Sequence, residues 1–106
     1  MSDRYISHFP KPDGLPRELL EILAEECAEV VQRVTKALRF GLDESQPGQP
    51  FTNAARIGHE VGDVLATLER LQDINVLRRA DVAHGVESKR RQLLIFLQNE
   101  PVTERV

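Results

Sequence analysis

Four carboxylates stand in two matched pairs, Glu26-Cys27-Ala28-Glu29 and Glu60-Val61-Gly62-Asp63. The i, i+3 spacing puts both members of a pair on one side of a helix. Each pair flanks an apolar stripe. The first stripe is Leu19, Leu23, Cys27, Val30, Val34 and Leu38; the second is Ile57, Val61, Val64, Leu68 and Leu71. Unpaired negative charge beside a protein interior is costly, and a divalent cation is a compact way to neutralise it.

With Glu26 or Glu60 set to zero, about 100° per residue puts both stripes near +80° and both partners, Glu29 and Asp63, near −60°. Face-to-face packing of the two helices gathers all four carboxylates if the registers meet. A donor set made only of oxygen suits hard cations, Mg²⁺ or Mn²⁺. A di-iron bundle uses Glu-x-x-His motifs. His59, directly before Glu60, and His84, three after Asp81, do not form one. Carboxylate-held Mg²⁺ keeps water-filled positions where substrate phosphates bind. The same acidic spacings also occur on solvated helix faces closed by salt bridges, so spacing alone leaves both readings open.

Cations follow the acids. Arg33 and Lys36 continue along the edge that carries Glu29, where they either reach a phosphate or balance local charge. Lys89 stands between Val86 and Leu93, where an apolar residue is expected. It either reaches toward an acidic cluster or bound anion, or snorkels into an ordinary ion pair. Arg39, Arg90 and Arg91 read as solvent-facing.

The elements that position these groups are helical. Residues 1–14 hold Pro10, Pro12 and Gly14 without a helical period and read as an extended arm. Pro16 suits a first helical turn, and Gly41 is a natural stop. Residues 42–51, with Pro47, Gly48 and Pro50, form a loop. Thr52 or Asn53 caps a second helix that ends near Asn75. A third runs from about Arg78 to Gln98, with Val82, Val86, Leu93 and Phe96 on one face and Pro101 just beyond it. Residues 101–106 are a tail. Gly58 and Gly62 are either neutral or mark close approach of another helix. The fold class is all-α: an antiparallel bundle of three main helices, completed by homo-oligomerisation because three amphipathic helices cover one another only in part.

Composition narrows the function. The 106 residues fit one domain, spanning residues 15–100 between the arm and the tail. A net charge of −3 lacks the basic excess of a general nucleic-acid binder. Aromatics are 5% with no Trp, so the core rests on Leu, Val, Ile and Ala. The single cysteine, Cys27, cannot form an internal disulfide; it fits a reducing cytoplasm and reads as buried filler on the apolar face. No stretch approaches a membrane span, and Met1-Ser2-Asp3-Arg4 does not begin a signal peptide.

Leu23-Ala24-Glu25-Glu26-Cys27-Ala28-Glu29-Val30-Val31-Gln32 resembles the first metal helix of the MazG-like all-α nucleoside triphosphate pyrophosphohydrolases. Gly58-His59-Glu60-Val61-Gly62-Asp63-Val64-Leu65 resembles their second. The family pattern of Glu-x-x-Glu, a spacer and Glu-x-x-Asp is met at Glu26, Glu29, Glu60 and Asp63. Glu87-Ser88-Lys89-Arg90-Arg91 is similar to a later segment in which an Asn-Lys pair is common; Ser88 replaces that Asn. The likeness covers roughly residues 15–98. It implies hydrolysis of a nucleoside or deoxynucleoside triphosphate to the monophosphate and pyrophosphate, with Mg²⁺ (or Mn²⁺) held by the four carboxylates. It also implies a homodimer or homotetramer; the charge and hydropathy add the expectation of no nucleic-acid or membrane partner. Lys89, with Arg33 and Lys36 as further candidates, would steady phosphate oxygens. His8, Phe9, Phe51 and Asn53 are the candidates for contact with the base. The rival reading is a non-catalytic helical dimer that binds a partner or senses a nucleotide.

Overall fold

The computed structural model describes residues 8–99. They form three helices: α1, Gly14–Phe40; α2, Asn53–Asp73; and α3, Arg79–Phe96. No strand occurs among the described residues. The chain divides into two compact units, Met1–Val76, which holds α1 and α2, and Leu77–Val106, which holds α3. The arm expected at 1–14 lies outside the described residues through position 7, and its last residue, Gly14, is already in α1. The tail at 101–106, with Pro101, lies outside them as well.

Turn chemistry sets the helix ends. Gly41 stops α1 in the left-handed region (φ 104°), and its N–H donates to the Ala37 carbonyl at 2.8 Å. Thr52 is the cap of α2: its hydroxyl oxygen accepts from the Ala55 N–H at 3.1 Å. Asn53, the other cap candidate, is the first helical residue and is buried. Asn75 adopts φ 62°, a conformation that asparagine tolerates, just beyond the end of α2.

Helices α1 and α2 pack as an antiparallel hairpin. Asn53 Nδ2 donates to the Gly41 carbonyl at 2.8 Å, which joins the end of α1 to the start of α2. Further along the seam, Cys27 and Val30 meet Val61 and Val64 around one small apolar hollow. Between the helices lie Leu19, Ala37 and Leu71, with Asn53 and Thr67 buried beside them. On the angular scale that starts at Glu26 or Glu60, buried Leu19, Ala37, Asn53 and Leu71 all fall near +20° and buried Thr67 near −20°.

That centre corrects the reading from the sequence. The apolar stripes were expected to bury around +80°, yet Cys27, Val31, Val34, Leu38, Val61 and Leu65, at about +80° to +140°, are exposed. Cys27 is therefore not buried filler. Two helices bury only the strip where they face one another, so the outer part of each broad stripe stays on the surface. Because the hairpin is antiparallel, both outer strips lie on one side and both carboxylate edges on the other. The hairpin thus has an acidic side and an apolar side. Gly58 and Gly62 have open space around them, so nothing within the described chain approaches either one closely.

In the second unit, α3 begins at a bidentate clamp. Arg78 donates from Nε and Nη2 to the two Asp81 oxygens at 2.9 and 3.2 Å. No residue of α3 is buried; Val86, Leu93 and Phe96 of the expected apolar face are exposed and Val82 is half-buried.

Candidate metal centre

The acidic side of the hairpin brings three of the four expected carboxylates together. One oxygen each from Glu26 of α1 and Glu60 and Asp63 of α2 lie within 4.8 Å of one another. Glu26 and Glu60 are half-buried and Asp63 is exposed. The Thr67 hydroxyl donates to the Asp63 backbone carbonyl at 2.8 Å, tying this turn of α2 to a buried side chain.

Crowding shows in the protonation of Glu26. Its carboxyl is held above the ordinary value, first by loss of water around it, then by the negative charge of Asp63 and by hydrogen bonding and charge from Glu60. A proton is the smallest cation that relieves such a cluster.

Glu29 is not one of the converging trio. It turns toward Arg33, its Oε2 standing 4.0 Å from Nη2. The Arg33 side chain is only 15% exposed, and its Nε is buried without a hydrogen-bond partner. Lys36 is half-buried on the same edge. The sequence marks Arg33 only as one of two cations on that edge, and its orphaned donor has no signature in spacing. Lys89 is exposed on α3, in the other unit, while Arg90 and Arg91 pair with Glu87 at 4.0 and 3.5 Å, as solvated cations do.

Comparison of the chain with protein-family models, curated proteins and solved structures finds no match.

The donor set fits a small hard cation. All three groups are carboxylates, and no thiolate or imidazole among the described residues joins them. Opposite oxygens on one Mg²⁺ stand about 4.2 Å apart, so oxygens within 4.8 Å of one another need only small side-chain adjustments to share an ion.

The residues considered for a nucleobase have other engagements. Asn53 is buried and donates to Gly41 and Glu44. Phe51 meets His59 edge-on, with ring centroids 4.8 Å apart. His8 and Phe9 are exposed. A cavity of about 380 Å³ lies elsewhere on the acidic side, lined by Lys36, Phe40, Glu44, Gln46 and Pro47. The loop residues among these follow no periodic pattern, so the sequence did not single them out.

Proposed function

We propose that this chain is a Mg²⁺-dependent nucleoside triphosphate pyrophosphohydrolase of the MazG-like kind. The observation that carries the reading is the meeting of Glu26, Glu60 and Asp63 across the α1–α2 seam. Carboxylates bind a polyanionic triphosphate only through a cation. When bound, Mg²⁺ lowers the charge at the α–β bridge and makes a neighbouring water more acidic. In the reaction, water adds at the α-phosphorus, the α–β phosphoanhydride bond breaks, and the monophosphate and pyrophosphate leave. Glu26, Glu60 and Asp63 would hold the cation. One of these carboxylates, or Glu29 on the same face of α1, would accept the water's proton. Arg33 supports this reading as well: it is a cation on the acidic edge of α1, next to Glu29, and its exposed guanidinium atoms suit a phosphate oxygen. Lys36 lies further along the same edge, and Lys89 is carried forward as a phosphate contact on its sequence position alone.

The working form in this proposal is a homo-oligomer in the cytoplasm, in which a second copy covers the apolar side. Leu38 is 84% and Val31 is 65% exposed there, unusual for residues at helical spacing on one strip. The same surface is what a non-catalytic partner-binding module would use, so activity decides between the two. Purified protein with Mg²⁺ and a panel of canonical and modified nucleoside triphosphates is expected to release pyrophosphate, and Glu60→Gln to abolish that release. Absence of release from every triphosphate, with the helices intact, rejects the enzyme in favour of the binding module. No helix among the described residues is long and apolar enough to cross a membrane.

A further inference from the structure

A single chain leaves two apolar surfaces bare. On the apolar side of the hairpin, Val31, Val34, Leu38, Val61 and Leu65 are 37–84% exposed. The same side carries the hollow of about 200 Å³ between Cys27 and Val30 of α1 and Val61 and Val64 of α2, room for one large side chain. The second surface is on α3, where no residue is buried. Its last turn, Leu93, Leu94, Ile95 and Phe96, is apolar all round and 43–75% exposed. A helical turn with no polar face belongs in an interior, not in water.

Area and charge indicate what covers them. Full burial of a large apolar side chain removes about 60–120 Å² from water. At their exposures, these nine residues and Val86 offer roughly 350–700 Å² per chain. A standard interface takes about 800 Å² from each partner, somewhat over half of it apolar. The two surfaces together therefore supply the apolar share of one stable interface. Residues 14–73 of the hairpin carry eleven acids against six bases, a net of −5, so two hairpins repel one another. Residues 79–96 carry four bases against two acids, a net of +2. Charge thus matches α3 to a hairpin better than it matches a hairpin to its own copy. Both surfaces are bare in the single chain, so the cover for each comes from outside it.

We propose that the last turn of α3 from a second copy docks on the apolar side of the hairpin, with Ile95 or Phe96 seated in the hollow beside Cys27. Under twofold symmetry the exchange is reciprocal: each copy gives its α3 and receives the other's, and both surfaces on both chains are covered. The inference names the element that covers the apolar side in the assembly of the proposed function, and it rests on that assembly, not on turnover. The carboxylates lie on the opposite side of the hairpin, so docking leaves Glu26, Glu60 and Asp63 open to a ligand.

Cys27 is the single thiol of the chain and is exposed, so its labelling by a maleimide reads the cover over the hollow directly. In the full chain at about ten times the Kd of the dimer, labelling is expected to be about tenfold slower than after dilution well below it. Ile95→Asp combined with Phe96→Asp is expected to make labelling fast at every concentration and to turn a sedimenting dimer into a monomer. Circular dichroism should not change, because neither side chain is buried within the chain. Ile95→Cys identifies the occupant: mild oxidation is expected to link Cys27 of one copy to the new thiol of another, giving a disulfide dimer that Cys27→Ser abolishes. Labelling at one fast rate at all concentrations overturns the proposal, and so does a dimer that survives the double substitution. An internally bridged monomer from Ile95→Cys overturns it by placing α3 on its own hairpin, and a Cys27–Cys27 dimer of the unaltered chain does so by placing hairpin on hairpin. No readout uses a triphosphate, so failure of the docking and failure of the hydrolase are seen separately.

Discussion

Replacing Asn53 by alanine tests whether the α1–α2 loop is held as its hydrogen bonds require. Asn53 is 2% exposed, and its Nδ2 reaches both the Gly41 carbonyl at 2.8 Å and Glu44 Oε1 at 3.1 Å. A neutral hydrogen bond contributes about 1 kcal/mol and one to a charged group about 1.5–3 kcal/mol. Glu44 is half-buried, so water partly competes and the lower end applies. Asn53→Ala removes both donors and strands a carbonyl, for a loss of roughly 2–4 kcal/mol. Set against the ~5–15 kcal/mol total of a small domain, that is a large fraction. In urea, with a slope of about 1–3 kcal/mol per molar, the midpoint falls by about 1–2 M. The assay is equilibrium unfolding followed by far-ultraviolet circular dichroism at two protein concentrations, which separates loop loosening from any dissociation. Thr52→Ala is the control. It removes only the cap bond to Ala55 and is expected to destabilise by about 1 kcal/mol. If Asn53→Ala loses no more than Thr52→Ala, Asn53 is not what joins the loop to both helices.

Three further outcomes are expected. Glu26 keeps its proton above the ordinary 4.5 in the folded chain, through lost hydration and the charges of Asp63 and Glu60. The native state therefore binds more protons than the unfolded one just above that value, and stability in chelator falls as pH rises through this window. Glu26→Gln is expected to flatten the profile of Tm against pH, and an unchanged slope assigns it to other groups. Leu71 is 0% exposed, so Leu71→Ala should lose about 2–5 kcal/mol in urea unfolding; a loss under about 1 kcal/mol would mean the α1–α2 seam collapses around the gap. Lys89→Ala is expected to raise KM or lower kcat with unchanged circular dichroism, and wild-type kinetics would make Lys89 a solvated residue of α3.

The all-α class was legible because the apolar stripes have helical period and their ends carry Gly41, Thr52 and Asn75, residues whose local chemistry stops or caps a helix. The meeting of Glu26 with Glu60 and Asp63 was legible for a related reason: equal angular offsets on two facing helices converge if the register allows it. Two things were not. The stripes on α1 and α2 are broader than the strip where the helices face one another, and periodicity does not say which part of a stripe is covered; hence Cys27 reads as buried from the sequence but is exposed. Glu29 has the same spacing from Glu26 as Asp63 from Glu60, but it has Arg33 one turn away on its own helix, and that local pair draws it out of the cluster. The walls built from Glu44 and Gln46 were hidden because loop residues gain their roles from hydrogen bonds to distant partners, here Asn53 and Arg56.

Under the proposed function, the order of side chains along one face of α1 favours a nucleotide over a bare cation. A structural metal site needs charge balance only at its centre, and Glu26, Glu60 and Asp63 would suffice. Here the acids are followed at helical spacing by Arg33, Lys36 and Phe40, a change from anionic to cationic to aromatic within four turns. Cations beside the acids suit phosphate oxygens next to the metal-bound ones, which a bare cation does not need. The opposite edge of the same helix shows no such gradient, carrying Cys27, Val31, Val34 and Leu38. A single helix that sorts its polar chemistry onto one edge and its apolar residues onto the other can serve a ligand and a second chain at once. Substitutions on the apolar edge should then alter assembly, while those from Glu26 to Lys36 alter what is bound and turned over.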